Sequence, residues 1–171
     1  RLAGTPQKIT EHTDAVVINA GDGKHQHPTQ AMLDLYTIRK NFGHLDGLKV
    51  AIVGDLSHSR VVGSLVPALK TMGAEVVLVG PPTFHVDDPS WFGCSQTSHF
   101  DEVIGDVDVV YMLRVQLERM EGAPIPSRRE YNRLWGLDER RSKLMKPEAI
   151  ICHPGPMNRG MEINSEVADC A

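Results

Sequence analysis

Short β-branched or apolar runs alternate along this chain with amphipathic stretches of helical period, and that alternation limits the possible folds more than any other feature. Ala15–Asn19, Leu48–Val53, Glu75–Val79, Asp108–Leu113 and Ala149–Cys152 read as strands. Thr29–Phe42, Arg60–Met72, Phe100–Gly105, Ser127–Leu134 and Asp138–Met145 read as helices, the last opened by a capping Asp. Leu33, Leu35 and Ile38 mark the apolar positions of the first helix, and Gly43 and Gly47 mark a break after it. Such a series of βαβ units predicts an α/β fold, a Rossmann-like open parallel sheet with helices on both faces.

A chain of 171 residues can bury a substantial core, and 41% hydrophobic with 23% charged residues is ordinary for a folded α/β protein. The net charge of −4, with no basic tract and few aromatics, argues against nucleic acid as the main partner. No apolar run reaches the roughly 18 residues of a membrane span, so no membrane partner is expected. Cys94, Cys152 and Cys170 are odd in number and lack CxxC spacing, which fits free thiols in a reducing cytoplasm.

The residues best suited to chemistry all follow predicted carboxyl ends of strands: 19–30, 54–60, 114–119 and 153–159. Ligands of open parallel sheets bind outside those ends, so these clusters are expected to line one cleft. In the first, a Gly-Asp-Gly turn delivers His27 and Gln30 to the start of a helix, where Pro28 is tolerated. Backbone amides at a helix start favour anions, and His and Gln donors suit a carbonyl oxygen that gains charge on attack.

The His25-x-His27 pair admits a metal reading, but no carboxylate or thiolate lies at a recognised spacing, so no metal is expected. Gly54–Arg60 follows a strand as nucleotide-binding loops do, yet lacks GxGxxG. Arg60, read in the first helical turn, opposes the helix dipole unless it binds an anion. Arg114 can hold a carboxylate bidentately, with Gln116 on a second polar group. Two arginines at strand ends suit a dicarboxylate better than a monoanion. The His153-Pro154-Gly155-Pro156 turn adds backbone carbonyls and by itself is a weak signal.

Taken together, GDGKHQHPTQAMLDLYTI, GDLSHSRVVGSL, VVYMLRVQLER and HPGPMNRGMEI resemble, in order, the catalytic chains of the aspartate and ornithine carbamoyltransferase superfamily. Thr29, Arg114-Val115-Gln116 and Gly155 fall on the aspartate side, where ornithine enzymes carry HPCQ, an SMG segment and HCLP. The resemblance implies transfer of a carbamoyl group from carbamoyl phosphate to L-aspartate, early in pyrimidine synthesis, with no cofactor. It implies that His27 polarises the carbonyl and Gln30 binds the carbamoyl amide. Arg60 and Arg114 then hold the aspartate carboxylates with help from Gln116, and the main chain at Pro154 and Gly155 orients the amine or the carbamoyl NH2. Glu118 and Arg119 match residues that hold a mobile loop through ion pairs.

The family's Ser-x-Arg-Thr-Arg phosphate motif occurs nowhere in this sequence. The neighbouring subunit's Ser and Lys loop and the final helix are also missing. The chain therefore reads as a fragment: residues 1–28 end a carbamoyl-phosphate domain, 29–43 form a connecting helix, and 44–171 form the aspartate-binding domain. Little activity is expected of it alone. The resemblance implies a homotrimer for the intact protein and is compatible with regulatory or fused pyrimidine-pathway partners.

Overall fold

The computed structural model describes residues 3–116, 125 and 127–170. Five parallel strands form its sheet: β1 (Lys49–Val53), β2 (Glu75–Val79), β3 (Ser95–Thr97), β4 (Val109–Met112) and β5 (Ile150–Cys152). Their order is β3-β2-β1-β4-β5. The helices are α1 (Thr5–Thr10), α2 (Pro28–Phe42), α3 (Val62–Thr71), α4 (Phe100–Val103), α5 (Arg128–Trp135), α6 (Glu139–Ser142) and α7 (Ser165–Ala168). The chain builds outward from β1 to β3, then returns to the other side of β1 with β4 and β5. That reversal makes the junction of β1 and β4 the point where an open sheet leaves a crevice.

Alternate residues of the central strands feed two separate cores, which explains why their sequence is apolar throughout. Val50, Ile52, Leu78 and Tyr111 pack with Leu65 and Leu69 of α3 and Ile38 of α2. Ala51, Val53, Val79 and Met112 pack on the other face with Phe84, Phe100, Tyr131 and Trp135. Register is set by like residues: Val50 pairs with Val76 on one side and Val109 on the other. Each fully buried aliphatic side chain contributes roughly 1.5–3 kcal/mol.

The structure departs from the sequence reading in four places. Ala15–Asn19 is not a strand: it pairs with no other segment among the described residues, and Val16 and Ile18 are 91% and 74% exposed. A β-branched run without a neighbouring strand has no ladder to join. On α2 the buried positions are Ala31, Asp34 and Ile38, while Leu33 faces solvent beside the exposed Met32 and Tyr36. The polar β3 was missed because its backbone pairing with β2, Val77 against Ser95, outweighs its low strand propensity. Finally, α3 begins at Val62, so Arg60 sits in the turn before the helix rather than inside its first turn.

Candidate functional site

The first wall of the site is the start of α2. His27 is the N-cap, Pro28 occupies the first helical position, and the His27 carbonyl accepts from the backbone of Gln30 and Ala31. The loop before it is held by Asp22. Its carboxylate accepts from Gly4 N at 2.8 Å and bonds His25 Nδ1 at 3.0 Å, while Asp22 N donates to Gln26 O. The Gly4 hydrogen bond, then that of His25, keeps the Asp22 carboxyl below the usual range.

Helix α3 grips the same loop from the other side. Ser64 Oγ accepts from His27 N at 2.8 Å. Gly63 lies so near the His25 carbonyl oxygen that any side chain there would collide with it. Gly21, at φ +131°, lies under the Arg60 guanidinium, where an added Cβ would stand 2.6 Å from Nη1.

The other walls come from strand ends. After β1 the chain presents Ser59, Arg60 and Val61. After β4 the alternation of the strand breaks: Leu113 packs in one core and Val115 in the other, and Arg114 and Gln116 line the cavity. Asn158 Nδ2 donates to Val115 O at 3.1 Å and ties the β4 loop to the β5 loop. After β5, Gly155 N donates to His153 Nδ1 at 2.8 Å, and His153 Nε2 bonds the fully buried Glu162 at 3.3 Å. A ring that accepts at Nδ1 carries its proton on Nε2, so His153 donates to Glu162 and the turn at Pro154–Gly155 is anchored.

These loops enclose one cavity of about 80 Å³, lined by His27, Gln30, Ser59, Arg60, Val61, Arg114, Gln116, Pro154 and Gly155. Every residue that the sequence nominated for binding or catalysis lines it. Two guanidinium groups, an imidazole and two carboxamides around so small a space favour a compact, polar, anionic ligand. Burial, and then the charge of Arg60, lower the His27 pKa below the ordinary value of 6.5, so its imidazole is neutral at pH 7. Gln116 Oε1 is buried without a hydrogen-bond partner among the described residues.

Ser59, Val61, Ser64 and Asp34 were not nominated from sequence. Asp34, one turn beyond Gln30, was the most readable of them, because a carboxylate on a helix's buried face needs a reason. His25 turns to Asp22 rather than toward a shared metal position, and no cluster of three or more metal-ligating side chains occurs among the described residues. Glu118 and Arg119 lie outside the described residues. The three cysteines are free, and burial pushes the Cys152 thiol up to about 12, so it is unreactive at neutral pH. No helix among the described residues is long and apolar enough to cross a membrane.

Two family models match the chain. The aspartate/ornithine carbamoyltransferase Asp/Orn binding domain matches residues 46–171, and the carbamoyl-P binding domain matches residues 1–40. The aspartate carbamoyltransferase catalytic subunit of Thermobifida fusca is 54% identical over 168 residues, covering 98% of this chain and 54% of that protein. The chain thus spans about half the length of the curated relatives it matches. Among solved structures, aspartate transcarbamoylase from Trypanosoma cruzi in complex with carbamoyl phosphate superimposes with a TM-score of 0.86 at 28% identity, covering 99% of this chain and 56% of the other. Ornithine carbamoyltransferase from Thermus thermophilus gives 0.81 at 25% identity, covering 97% and 55%.

Proposed function

Because the chain belongs to the aspartate/ornithine carbamoyltransferase family, we propose that it forms the amino-acid-binding part of an aspartate carbamoyltransferase. That enzyme transfers the carbamoyl group of carbamoyl phosphate to L-aspartate, giving N-carbamoyl-L-aspartate and phosphate. The observation that carries this reading is the one cavity shared by Arg60, Arg114 and Gln116 at adjacent strand ends and by His27 and Gln30 at the start of α2. Two arginines match the two carboxylates of aspartate, and a single carboxylate would leave one guanidinium unused.

In this reading the aspartate amine attacks the carbamoyl carbon, and as the carbon–nitrogen bond forms its proton passes to the departing phosphate. The carbon–oxygen bond to phosphate breaks and its electron pair departs with the phosphate. Neutral His27 donates to the carbonyl oxygen as negative charge builds there. Thr29 Oγ1 lies 3.3 Å from His27 Nδ1, and a hydroxyl donating to Nδ1 leaves the ring proton on Nε2, free to serve that oxygen. Gln30 and the carbonyls of Pro154 and Gly155 accept from the carbamoyl NH2. Arg60 and Arg114 clamp the carboxylates, with Gln116 assisting, and no metal or organic cofactor takes part.

Residues 1–28, 29–43 and 44–171 serve as the end of the carbamoyl-phosphate domain, a connecting helix and the aspartate domain. The exposed apolar residues Val16 and Ile18, and Met32, Leu33 and Tyr36 on α2, support this division, since they offer apolar surface to the remainder of the first domain. The intact enzyme is a cytoplasmic homotrimer acting early in pyrimidine synthesis, and this chain alone has little activity. The test is a carbamoyl-transfer assay on the full-length enzyme that contains this sequence, L-aspartate against L-ornithine. Aspartate-selective turnover is the expected result, and ornithine preference or no turnover from folded protein rejects the reading.

A further inference from the structure

We propose that Asp34 is a positioning residue that dictates which end of the Gln30 amide faces the cavity, and thereby selects a carbamoyl donor over an acyl donor. This rests on the function proposed above. A glutamine amide has nearly the same shape at its oxygen and nitrogen ends, so its sequence position alone leaves its polarity open. Asp34 lies one turn further along α2 and is 6% exposed. Its Oδ1 accepts from Gln30 Nε2 at 3.0 Å and its Oδ2 from the Tyr111 hydroxyl at 2.7 Å.

A carboxylate only accepts, so it binds the NH2 end of Gln30 and leaves Oε1 for the cavity that Gln30 lines. Burial raises the Asp34 carboxyl above its usual range, and the Tyr111 and Gln30 donors, which favour the carboxylate, hold that rise back. Burial together with the Asp34 charge keeps Tyr111 protonated and therefore a donor. Tyr111 is fully buried on β4, three positions before Arg114. The triad consequently ties the helix that starts at His27 to the strand that ends at Arg114.

An acceptor fixed at Oε1 distinguishes two donors of almost equal shape. The NH2 of carbamoyl phosphate gives it a hydrogen bond. The methyl of acetyl phosphate buries it unpaired, and a site built to bond an N–H rejects the analogue that lacks one. Without Asp34 the amide can rotate, and the methyl no longer meets an obligatory acceptor.

The experiment uses the full-length enzyme and reads the ratio of kcat/KM for carbamoyl phosphate to that for acetyl phosphate with L-aspartate as acceptor. The acetyl phosphate inhibition constant serves where its turnover is too slow. Wild-type enzyme that transfers to no amino acid defeats the functional reading before Asp34 is tested. In active enzyme, Asp34→Asn lowers the ratio about tenfold or more, Tyr111→Phe lowers it less, and KM for aspartate stays within about twofold. In a Gln30→Ala background, Asp34→Asn leaves the ratio unchanged, because the group it orients is gone. Equal losses for both donors, or a full further loss in the Gln30→Ala background, overturn the proposal. Should Asp34→Asn not fold, an unchanged ratio in Tyr111→Phe overturns it equally.

Discussion

At the amino ends of the strands, charges close on one another. Lys49 Nζ donates to Asp106 at 2.7 Å, Lys146 Nζ to Asp108 at 2.8 Å, and Lys49 N to the second oxygen of Asp108. On one face of the sheet, Arg141, only 4% exposed, is bonded to Asp101 of α4 and to the carbonyls of Arg133, Leu134 and Gly136 at the end of α5. The carboxyl ends of the same strands are different. There Asp55 Oδ2, Gln116 Oε1, Tyr131 OH and Glu162 Oε2 are buried with no hydrogen-bond partner among the described residues. Each such group costs about 1–3 kcal/mol if left unsatisfied. Of these, only Gln116 lines the cavity and keeps an acceptor for a ligand there, whereas the other oxygens of Asp55 and Glu162 are already bonded to His58 and His153.

The largest effect on stability that tests this contrast is at Arg141. Arg141→Leu takes a buried guanidinium from the half-exposed Asp101 and orphans several carbonyls, so a loss of about 1–3 kcal/mol in unfolding free energy is expected by denaturant titration. Substrate KM should be unaltered in the protein that remains folded. A loss under about 1 kcal/mol would end the claim that this charge is structural. Next is Arg114→Ala in the cavity. Its kcat/KM for aspartate should fall roughly a hundredfold, about 3 kcal/mol, with carbamoyl-phosphate binding and the melting temperature kept. Unchanged aspartate saturation would remove Arg114 from the site.

Smaller still is the titration of His27. Its folded pKa is lowered from 6.5 by burial and by Arg60. Between 6.5 and that lower value the unfolded chain binds more protons. The stability from this group is therefore complete above 6.5 and declines as pH falls through the folded pKa. An NMR titration should place the ring below 6.5, and Arg60→Gln should raise it. A midpoint at or above 6.5 contradicts the site's electrostatics. Smallest is Lys49→Ala. Its pair with Asp106 is exposed on both sides, so melting temperature should match the parent at moderate salt and kinetics should be untouched.

Much of this fold was readable because burial on both faces forces continuous apolar runs, as in Leu48–Val53, and those runs are visible without coordinates. The cleft was readable for a related reason. In a parallel sheet every strand points the same way, so the residues that follow β1, β4 and β5 share one edge, whereas His27 and Gln30 follow no strand and reach the cavity from the start of α2. What failed to read were elements whose conformation depends on a neighbour. Ser95–Thr97 is a strand only because β2 offers its edge, and Ala15–Asn19 is none because nothing described pairs with it. Leu33 looked like core because period alone says which residues share a face, not which face meets the sheet.

The sequence by itself determined the layered architecture, the side of the sheet where the cavity lies, and seven of the nine residues lining it. All three follow from local pattern and chain direction. Only the tertiary structure decided that Arg60 precedes α3 and stacks on Gly21, that Arg141 is buried against the end of α5 while Arg114 lines the cavity, and that Tyr111 reaches Asp34 across 77 residues. Those outcomes depend on which groups meet after collapse, and a hydrogen bond of a few ångströms between distant positions leaves no periodicity in the chain to read.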